Sequence, residues 1–164
     1  MIDRRENILA RLLVILGQVP GIASVYRNRG EIGDADTPAA VLLDGDEHVS
    51  ILINNVTPMP ATMVTLAPQV VIILPMYDDV SNTTINGAGQ PLGPYMSSIR
   101  MSVMNAILND ETLVMLLGGY SGQGKIRYVR TETSMKIGSE IGVLGANMMM
   151  EFAITYSLDP SELS

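Results

Sequence analysis

Gln69-Val-Val-Ile-Ile-Leu74, held between Pro68 and Pro75, is the stretch of sequence that decides the fold. Its five consecutive aliphatic residues, four of them β-branched, predict a strand that is buried on both faces, because a half-exposed strand would alternate with polar residues. Such a strand belongs at the centre of a sheet. Proline cannot donate a hydrogen bond to a neighbouring strand, so Pro68 and Pro75 should limit how far this segment pairs.

The composition limits the classes of protein to which the chain can belong. Its 164 residues are 47% hydrophobic, which suffices for one substantial core. The composition therefore favours a single domain that spans residues 1–164. The absence of cysteine excludes disulfides, thiolate metal sites and cysteine nucleophiles. Twelve methionines and one phenylalanine indicate a core that specifies geometry loosely and that a partner's surface would complete; an ordinary aliphatic core explains the composition equally well.

The net charge bears on nucleic-acid binding. A formal charge of −7 opposes tight binding to phosphate, because that affinity comes largely from lysine and arginine. An acidic protein can still line a passage for DNA, since repulsion keeps the polymer from sticking. We therefore expect no specific contact with DNA.

The sequence predicts neither a membrane span nor a secretion signal. No apolar run approaches the ~20 residues that a membrane-spanning helix needs. Residues 8–16, preceded by Arg4 and Arg5, resemble the apolar part of a signal peptide, but Arg11 interrupts them and no Ala-x-Ala site follows. We expect synthesis in the cytosol without export.

The first half of the chain predicts one helix followed by strands. Asp3 and Glu6 have the spacing of a capping box, so a helix should begin near Arg4 and end at Gly17 and Pro20. Asp44-Gly45 is a strong signal for a hairpin turn. The predicted strands are residues 23–28, residues 39–43 before that turn, residues 48–53 after it, and residues 63–74, which follow an irregular connection over residues 54–62.

The second half predicts a long loop, two helices and two strands. Residues 77–94 are almost all polar or turn-forming, and so long a loop is typically functional or disordered. We interpret it as an arm that meets a partner, with plain disorder as an equal alternative. The remaining predicted elements are a helix over residues 95–108, a short helix over residues 110–117 capped by Asn109, a strand over residues 125–133, a loop over residues 134–147, a half-buried strand over residues 148–158, and a polar tail, residues 159–164.

Charged residues place the strand over residues 125–133 at an edge of the sheet. Strict alternation predicts Lys125 and Arg127 on one face and Arg130 and Glu132 on the other, and a strand charged on both faces suits an edge. The order of elements describes an α+β domain, with a mostly antiparallel sheet and helices packed on one face.

One segment invites a nucleotide-binding interpretation. Gly119 to Lys125 has the Gly-x4-Gly-Lys spacing of a phosphate-binding loop. Ile126 stands where a magnesium-binding Ser or Thr is required, and the predicted order is helix, loop, strand, when the mechanism needs a helix after the loop. A plain turn is the favoured interpretation.

Other clusters of chemically active residues are equally weak. Asp44, Asp46, Glu47 and His48 lie close together, but the remaining spacing of a calcium loop is missing, and a solvated turn is favoured. His48 is the only histidine, and no Gly-x-Ser-x-Gly motif is present, so no nucleophilic serine is predicted. We predict no catalytic, cofactor-binding or metal-binding residues, and no enzymatic activity.

Several stretches carry a family resemblance that is spread along most of the chain. They are Arg4-Arg-Glu-Asn-Ile-Leu-Ala-Arg-Leu12, Val19-Pro-Gly-Ile22, Val25-Tyr-Arg-Asn-Arg29, Pro38-Ala-Ala-Val-Leu-Leu-Asp-Gly-Asp46 and the closing Met150-Glu-Phe-Ala-Ile-Thr-Tyr156. In these stretches the chain resembles the tail-completion proteins, or tail terminators, of long-tailed bacteriophages and prophages. No single signature motif carries the likeness.

The resemblance implies a structural protein of the virion, located in the tail or neck and assembled in the host cytoplasm. Such a subunit forms a ring, typically a hexamer, that caps the finished tail tube, stops its polymerisation and presents a surface to the head connector or stopper protein. DNA would pass through the lumen without specific binding. The alternative is a head-tail joining or stopper ring of the same neck; a small hydrolase or a nucleotide-binding domain is less favoured.

We predict that two polar segments, residues 77–94 and 125–136, contact neighbouring subunits or the tube, because they have little to bury internally. The predicted interface residues are Asp78, Asp79, Asn82, Thr84, Asn86, Gln90, Lys125, Arg127, Arg130 and Lys136.

Overall fold

The computed structural model of the protein describes residues 3–33, 36–51, 62–75, 77–78, 83–84, 92–118, 124–137 and 143–158. Within these residues the chain forms three helices and seven strands. In chain order they are α1 (Arg4–Gln18), β1 (Ser24–Arg27), β2 (Ala39–Ile51), β3 (Thr62–Ile73), β4 (Tyr77–Asp78), β5 (Thr83–Thr84), α2 (Leu92–Leu108), α3 (Glu111–Leu116), β6 (Lys125–Ile137) and β7 (Val143–Leu158).

The strands form one sheet with β3 and β7 in its middle. The order is β1-β2-β3-β7, with β6 on the far side of β7 and the short pair β4 and β5 continuing from β7 near its start. The pairing of β1 with β2 is parallel, and all the other pairings are antiparallel. The predicted α+β class is confirmed, and so is the central position of the quoted segment, which lies in β3.

The helices cover one face of the sheet, which we call the helix face. Their buried residues join the buried residues of β2, β3 and β7 in a single hydrophobic cluster. Its fully buried members include Leu12, Leu16, Leu42, Leu66, Ile72, Ile107, Met148 and Phe152. Met104 and Leu108 pack against this cluster, whereas Met101 is exposed. None of the described helices is long and apolar enough to cross a bilayer.

Helix α1 begins as its sequence predicts. The carboxylate of Asp3 accepts a hydrogen bond of 3.0 Å from the amide of Glu6, and the helix starts at Arg4. It continues through Gly17 to Gln18, one residue farther than predicted. Pro20 follows the end of the helix, which the amide of Val19 closes by donating to the carbonyl oxygen of Leu16.

The second pair of helices differs from the prediction at its boundaries. Helix α2 begins at Leu92, so the last residues of the predicted loop belong to the helix. Helix α3 is capped by Asp110, whose carboxylate accepts from the amide of Leu113 at 2.8 Å, and not by Asn109. Three predicted segments lie wholly or mostly outside the described residues. They are the loop over residues 77–94, the irregular connection over residues 54–62 and the polar tail over residues 159–164.

The predicted hairpin turn at Asp44-Gly45 is wrong. Strand β2 runs without reversal from Ala39 to Ile51 and pairs with β3 throughout, with a bulge between Leu43 and Asp46. Gly45 has a φ of +74°, and a Cβ added there would overlap the carbonyl oxygen of Ala67. The glycine therefore serves a bulge inside a strand, because only glycine tolerates both this φ and this contact.

The quoted segment is fully buried on one face only. Val70, Ile72 and Leu74 are buried against the helices, while Val71 and Ile73 are partly exposed on the other side. Pro68 does not stop the strand, since both of its neighbours in sequence pair with β2. Strand β3 ends at Ile73, before Pro75, as the prediction requires.

The last two strands form a longer hairpin than predicted. Strand β6 continues to Ile137 and β7 begins at Val143, so most of the predicted loop over residues 134–147 is strand. Met148, Met150, Phe152, Ile154 and Tyr156 are buried on the helix face, as their shared parity predicts. The half-buried character of the final strand is confirmed.

Candidate assembly surfaces

One face of the sheet is not covered by any described helix, and we call it the open face. The strand register aligns Val41, Val71 and Met149 in one row across β2, β3 and β7. The neighbouring row contains Ala39, Ile73 and Asn147. Ala39 and Val41 are buried, but Val71, Ile73 and Met149 keep part of their surface exposed. The open face therefore carries a half-exposed aliphatic strip.

Four charged residues of β6 lie on the open face, namely Lys125, Arg127, Arg130 and Glu132, which corrects the prediction that these four occupy both faces. A bulge between Tyr128 and Arg130 inserts one extra residue and reverses the alternation after it. The four residues then align with alternate residues of β7 that share one face, in the pairs Lys125 with Thr155, Arg127 with Ala153, Arg130 with Glu151, and Glu132 with Met149. The opposite side of β6 is left free to pack Ile126 and Tyr128 against the core.

Two of these charges are already neutralised within the chain. Nε of Arg130 donates to Glu151 at 2.6 Å, and Nη1 of Arg130 donates to Glu132. The carboxylate of Glu151 raises the pKa of the Arg130 guanidinium. Both partners of Arg130 therefore lie within the same chain.

Lys125 and Arg127, in contrast, are exposed and have no acidic partner within the described part of the chain. They lie at the start of β6, whose outer side pairs with no described strand. We call this segment, residues 125–128, the basic edge. The basic edge thus lies at an edge of the described sheet, consistent with the prediction that β6 is an edge strand.

A second free edge lies on the far side of the sheet and was not predicted. Strand β1 pairs with β2 only over residues 39–42, so beyond the bulge β2 has a described neighbour on one side only. Asp46, Glu47, His48 and Val49 are exposed there, and Val49 is 63% exposed. We call residues 46–49 the acidic edge. The sequence did not predict this edge, because a turn was expected at Asp44-Gly45, immediately before it.

Asp44 and Glu47 have partners within the chain. Asp44 accepts two hydrogen bonds from Arg27, from Nε at 2.8 Å and from Nη2 at 2.9 Å, and Arg27 also pairs with Glu6 of α1. Hydrogen bonding to Arg27 lowers the pKa of the Asp44 carboxyl. Glu47 accepts from the hydroxyl of Tyr156 at 2.6 Å, and burial together with that carboxylate raises the tyrosine's pKa.

Asp44, Asp46, Glu47 and His48, which lie close together in sequence, therefore do not converge on one point. Asp44 and Glu47 are engaged with different partners, and Asp46 and His48 point to the open face because they pair with Ala67 and Thr65. No group of three or more potential metal ligands occurs among the described residues.

The two predicted interface segments meet at the other end of the sheet. Asp78 pairs with Val143 in β7, and Thr84 pairs with Tyr77 next to it. On the opposite side of β7, Lys136 pairs with Gly145. Asp79, Asn82, Asn86 and Gln90 lie outside the described residues. Along β6, at about 3.3 Å per residue, Arg127 lies roughly 30 Å and Lys125 roughly 36 Å from Lys136, so the predicted residues form two separate groups.

The described part of the suspected phosphate-binding loop is used for packing. A Cβ on Gly124 would overlap the carbonyl oxygen of Leu117 at the end of α3, so this glycine permits a close backbone contact. Lys125 begins strand β6, and no helix start follows it. The geometry that such a loop needs is absent from these described residues.

Grooves lie beside the helices of the described structure. The one between α2 and β6 has a volume of about 390 Å³ and places Arg100 near Thr131 and Thr133. The guanidinium of Arg100 donates to the sulfur of Met104 at 3.5 Å. The second groove, of about 470 Å³, lies between the end of α1 and α2.

Comparison of the chain with models of known protein families and with curated proteins finds no match in either.

Proposed function

We propose that this protein is the tail terminator of a long-tailed bacteriophage or prophage, a structural subunit that forms a ring on the end of the tail tube. The sequence resemblance described above motivates the choice of family. The observation that carries the proposal is the presence of two strand edges, the basic edge and the acidic edge, that pair with no other described strand and lie at the same end of one sheet.

These edges differ in sequence and charge, and this difference favours a ring. A contact between two different surfaces of identical subunits is heterologous, and it closes into a ring when its rotation permits, or otherwise grows into a filament. A closed ring leaves no lateral edge free. Its two remaining faces are then available to the tail tube and to the head connector or stopper protein.

The open face gives such a ring an apolar surface for a partner. Val71, Ile73 and Met149 are partly exposed there, next to buried Val41. Contiguous apolar surface on a soluble subunit is typical of protein contacts. We assign to this face contacts with neighbouring virion proteins. The net charge of −7 suits a lumen that DNA traverses without binding. The proposal includes no catalytic activity, cofactor, metal or membrane.

The test combines the mass of the purified protein with the length of tail tubes assembled in its presence. We expect a closed ring, most simply of six copies, either alone or after addition of the tail-tube protein of the same virus. Electron microscopy should show rings at one end of tubes and should show that capped tubes stop growing. A monomer that is indifferent to tube protein and leaves tube length unchanged would overturn the proposal.

A stopper or head-tail joining ring is the alternative from the same neck. It would also form a ring, but it would bind the portal-side adaptor and not the naked tube. Pull-down with each partner separately distinguishes the two, because a terminator must bind the tube protein before any head protein is present.

A further inference from the structure

We infer that the basic edge of one copy adds to the acidic edge of the next copy, so that the sheet continues from subunit to subunit and Arg127 faces Asp46 of the neighbour. This inference rests on the proposed ring and names the contact that builds it. A second copy of the chain is the partner, because the two edges complement each other in charge and in position.

The strand register places the two charges at the same level of the sheet. Asp46 of β2 aligns with Ala67 of β3, and Arg127 of β6 aligns with Ala153 of β7. The register of β3 with β7 continues from Leu66 opposite Ile154, which sets Ala67 beside Ala153. If β6 of one copy pairs with β2 of the next copy in the same register, the side chains of Arg127 and Asp46 become cross-strand neighbours on the open face.

Both charges lack a partner within the described part of their own subunit, although most other charged groups nearby are engaged. Asp44 is bound by Arg27, Glu47 by Tyr156, and Arg130 by Glu151. Asp46 and Arg127 are exposed on the two free edges. A contact between the copies would pair them, and edge strands with opposite charges favour one partner edge over the other.

The helix face contributes an apolar contact at the same junction. Val49 lies on this face because it pairs with Val64, and its side chain is 63% exposed. Ile126 lies on the same face, opposite Ile154, and packs at the border of the core. In the continued register Val49 would be a diagonal neighbour of Ile126 of the adjoining copy. Burial of Val49 would then accompany the pairing of the charges.

The shape of the sheet limits the contact to this end. Strand β1 occupies the outer side of β2 up to residue 42, and Asn28, with a φ of 53°, turns the chain at its end. Beyond that point no described strand lies outside β2, so the acidic edge is set back from the outer side of β1 by the width of one strand, and we call this space the notch. The basic edge covers residues 125–128 and ends at the β6 bulge, which lies at the level of the β2 bulge. A bulge bends its strand, so β6 can leave the notch before it meets β1.

The strand directions also agree with this contact. Strands β2, β3, β7 and β6 alternate in direction, so β6 runs opposite to β2. A neighbour in the same orientation therefore presents β2 antiparallel to β6, as in the rest of the sheet. A rotation of about 60° between copies, about an axis along the strands, closes six of them.

Engineered cysteines provide the test, because the chain has none of its own. Asp46→Cys and Arg127→Cys in one chain should form disulfides between copies, since cross-strand neighbours lie about 5 Å apart. Within one copy the two positions are separated by about 14 Å, three strand spacings, and a disulfide spans at most about 7 Å between Cα atoms. The matched control is Asp46→Cys with Glu132→Cys, on the same strand and face but displaced along β6.

We expect a ladder of covalent oligomers from the Asp46→Cys/Arg127→Cys protein that disappears on reduction, and none from the control. Charge reversal adds a second measurement. Asp46→Arg or Arg127→Asp alone should reduce assembly about tenfold or more, and the two together should restore it, because like charges repel and the swapped pair attracts. Both positions are exposed, so the fold should persist, which circular dichroism verifies.

The outcomes separate this contact from the proposed function. Wild-type rings without cross-linking, or rings indifferent to charge reversal, would overturn the contact and leave the tail-terminator function standing. A cross-linked ladder from a protein that never caps tubes would support the contact and overturn the function.

Discussion

Asp110 attaches α3 to α1 through Arg11, although the two residues are 99 positions apart in sequence. Its carboxylate oxygens accept from Nε of Arg11 at 2.9 Å and from Nη2 at 2.7 Å. The same carboxylate caps α3 by accepting from the amide of Leu113. One side chain therefore both begins a helix and fixes its position against another helix.

Replacement of Asp110 should separate these two roles. Asp110→Ala removes the cap and the ion pair, and the lost cap alone should lower the free energy of unfolding by about 1–2 kcal/mol. Asp110→Asn should cost less, since asparagine also caps helices but carries no charge for Arg11. Urea unfolding followed by circular dichroism measures both. Asp3 caps α1, and Asp3→Asn serves as the control without a long-range arginine partner. Equal losses for Asn and Ala at position 110 would show that the cap contributes nothing.

Acid should destabilise the protein because it protonates carboxylates that accept hydrogen bonds from arginine. Hydrogen bonding to Arg27 lowers the pKa of Asp44, and hydrogen bonding to Arg11 lowers that of Asp110, in each case below the ordinary value of 3.8. The unfolded state then binds more protons than the folded state in the acidic range. This stabilisation is complete above the ordinary pKa and is lost as pH falls through the lower folded values.

We therefore expect the free energy of unfolding to fall as the pH drops below about 4. Urea titrations at a series of pH values measure the slope. Arg27→Met should make that slope shallower by removing the partner of Asp44. An unchanged slope in this variant would show that the Arg27 contacts do not set the acid response.

The glycine of the β2 bulge should tolerate no side chain. Gly45→Ala places a Cβ against the carbonyl oxygen of Ala67 at a φ of +74°, and we expect a loss of at least about 2 kcal/mol in unfolding free energy. Gly17→Ala is the matched control. Gly17 lies in α1 with nothing within 4 Å of an added Cβ, so alanine should stabilise by about 0.5–1 kcal/mol. Thermal unfolding of both variants tests the pair, and a harmless Gly45→Ala would contradict the bulge geometry.

The only phenylalanine anchors the core under β6. The Phe152 ring is 1% exposed and meets Tyr128 edge to face, with centroids 5.9 Å apart. Phe152→Ala should cost about 3–5 kcal/mol, because it leaves a cavity that the core can only partly close. Phe152→Leu should cost less, since it keeps most of the volume. Chemical denaturation compares the two, and similar losses would indicate that the aromatic contact with Tyr128 matters more than volume.

The sequence predicts most elements of this fold because their signals are local. Asp3 and Glu6 mark the first helix, and the parity from Met148 to Tyr156 assigns the last strand and its buried face. The two bulges escape prediction for a physical reason. Asp44-Gly45 has the same local chemistry in a turn as in a bulge, and only its contact with Ala67 in the next strand distinguishes them.

The bulge in β6 has the larger effect on the surfaces. Alternation places Lys125 and Arg130 on opposite faces, but the extra residue between Tyr128 and Arg130 brings both to the open face. The acidic edge was missed because its strand was expected to turn back before Asp46. Both the β6 bulge and the acidic edge depend on pairing with strands that are distant in sequence. Local sequence patterns therefore cannot predict either feature. That the charges of the 125–136 segment belong to an exposed edge strand was nevertheless predictable from their density.

The position of β7 has a consequence for how the protein forms. This strand is the last described element of the chain, yet it lies between β3 and β6 and carries Phe152, the largest fully buried side chain among the described residues. During synthesis, β1, β2 and β3 emerge long before their central neighbour, and β3 must wait with one side unpaired for residues some 80 positions later. Folding is therefore a late and non-local event, which should be slow and sensitive to loss of any residue in the final strand. A nascent chain released before Leu158 would expose the very strand around which the sheet is built.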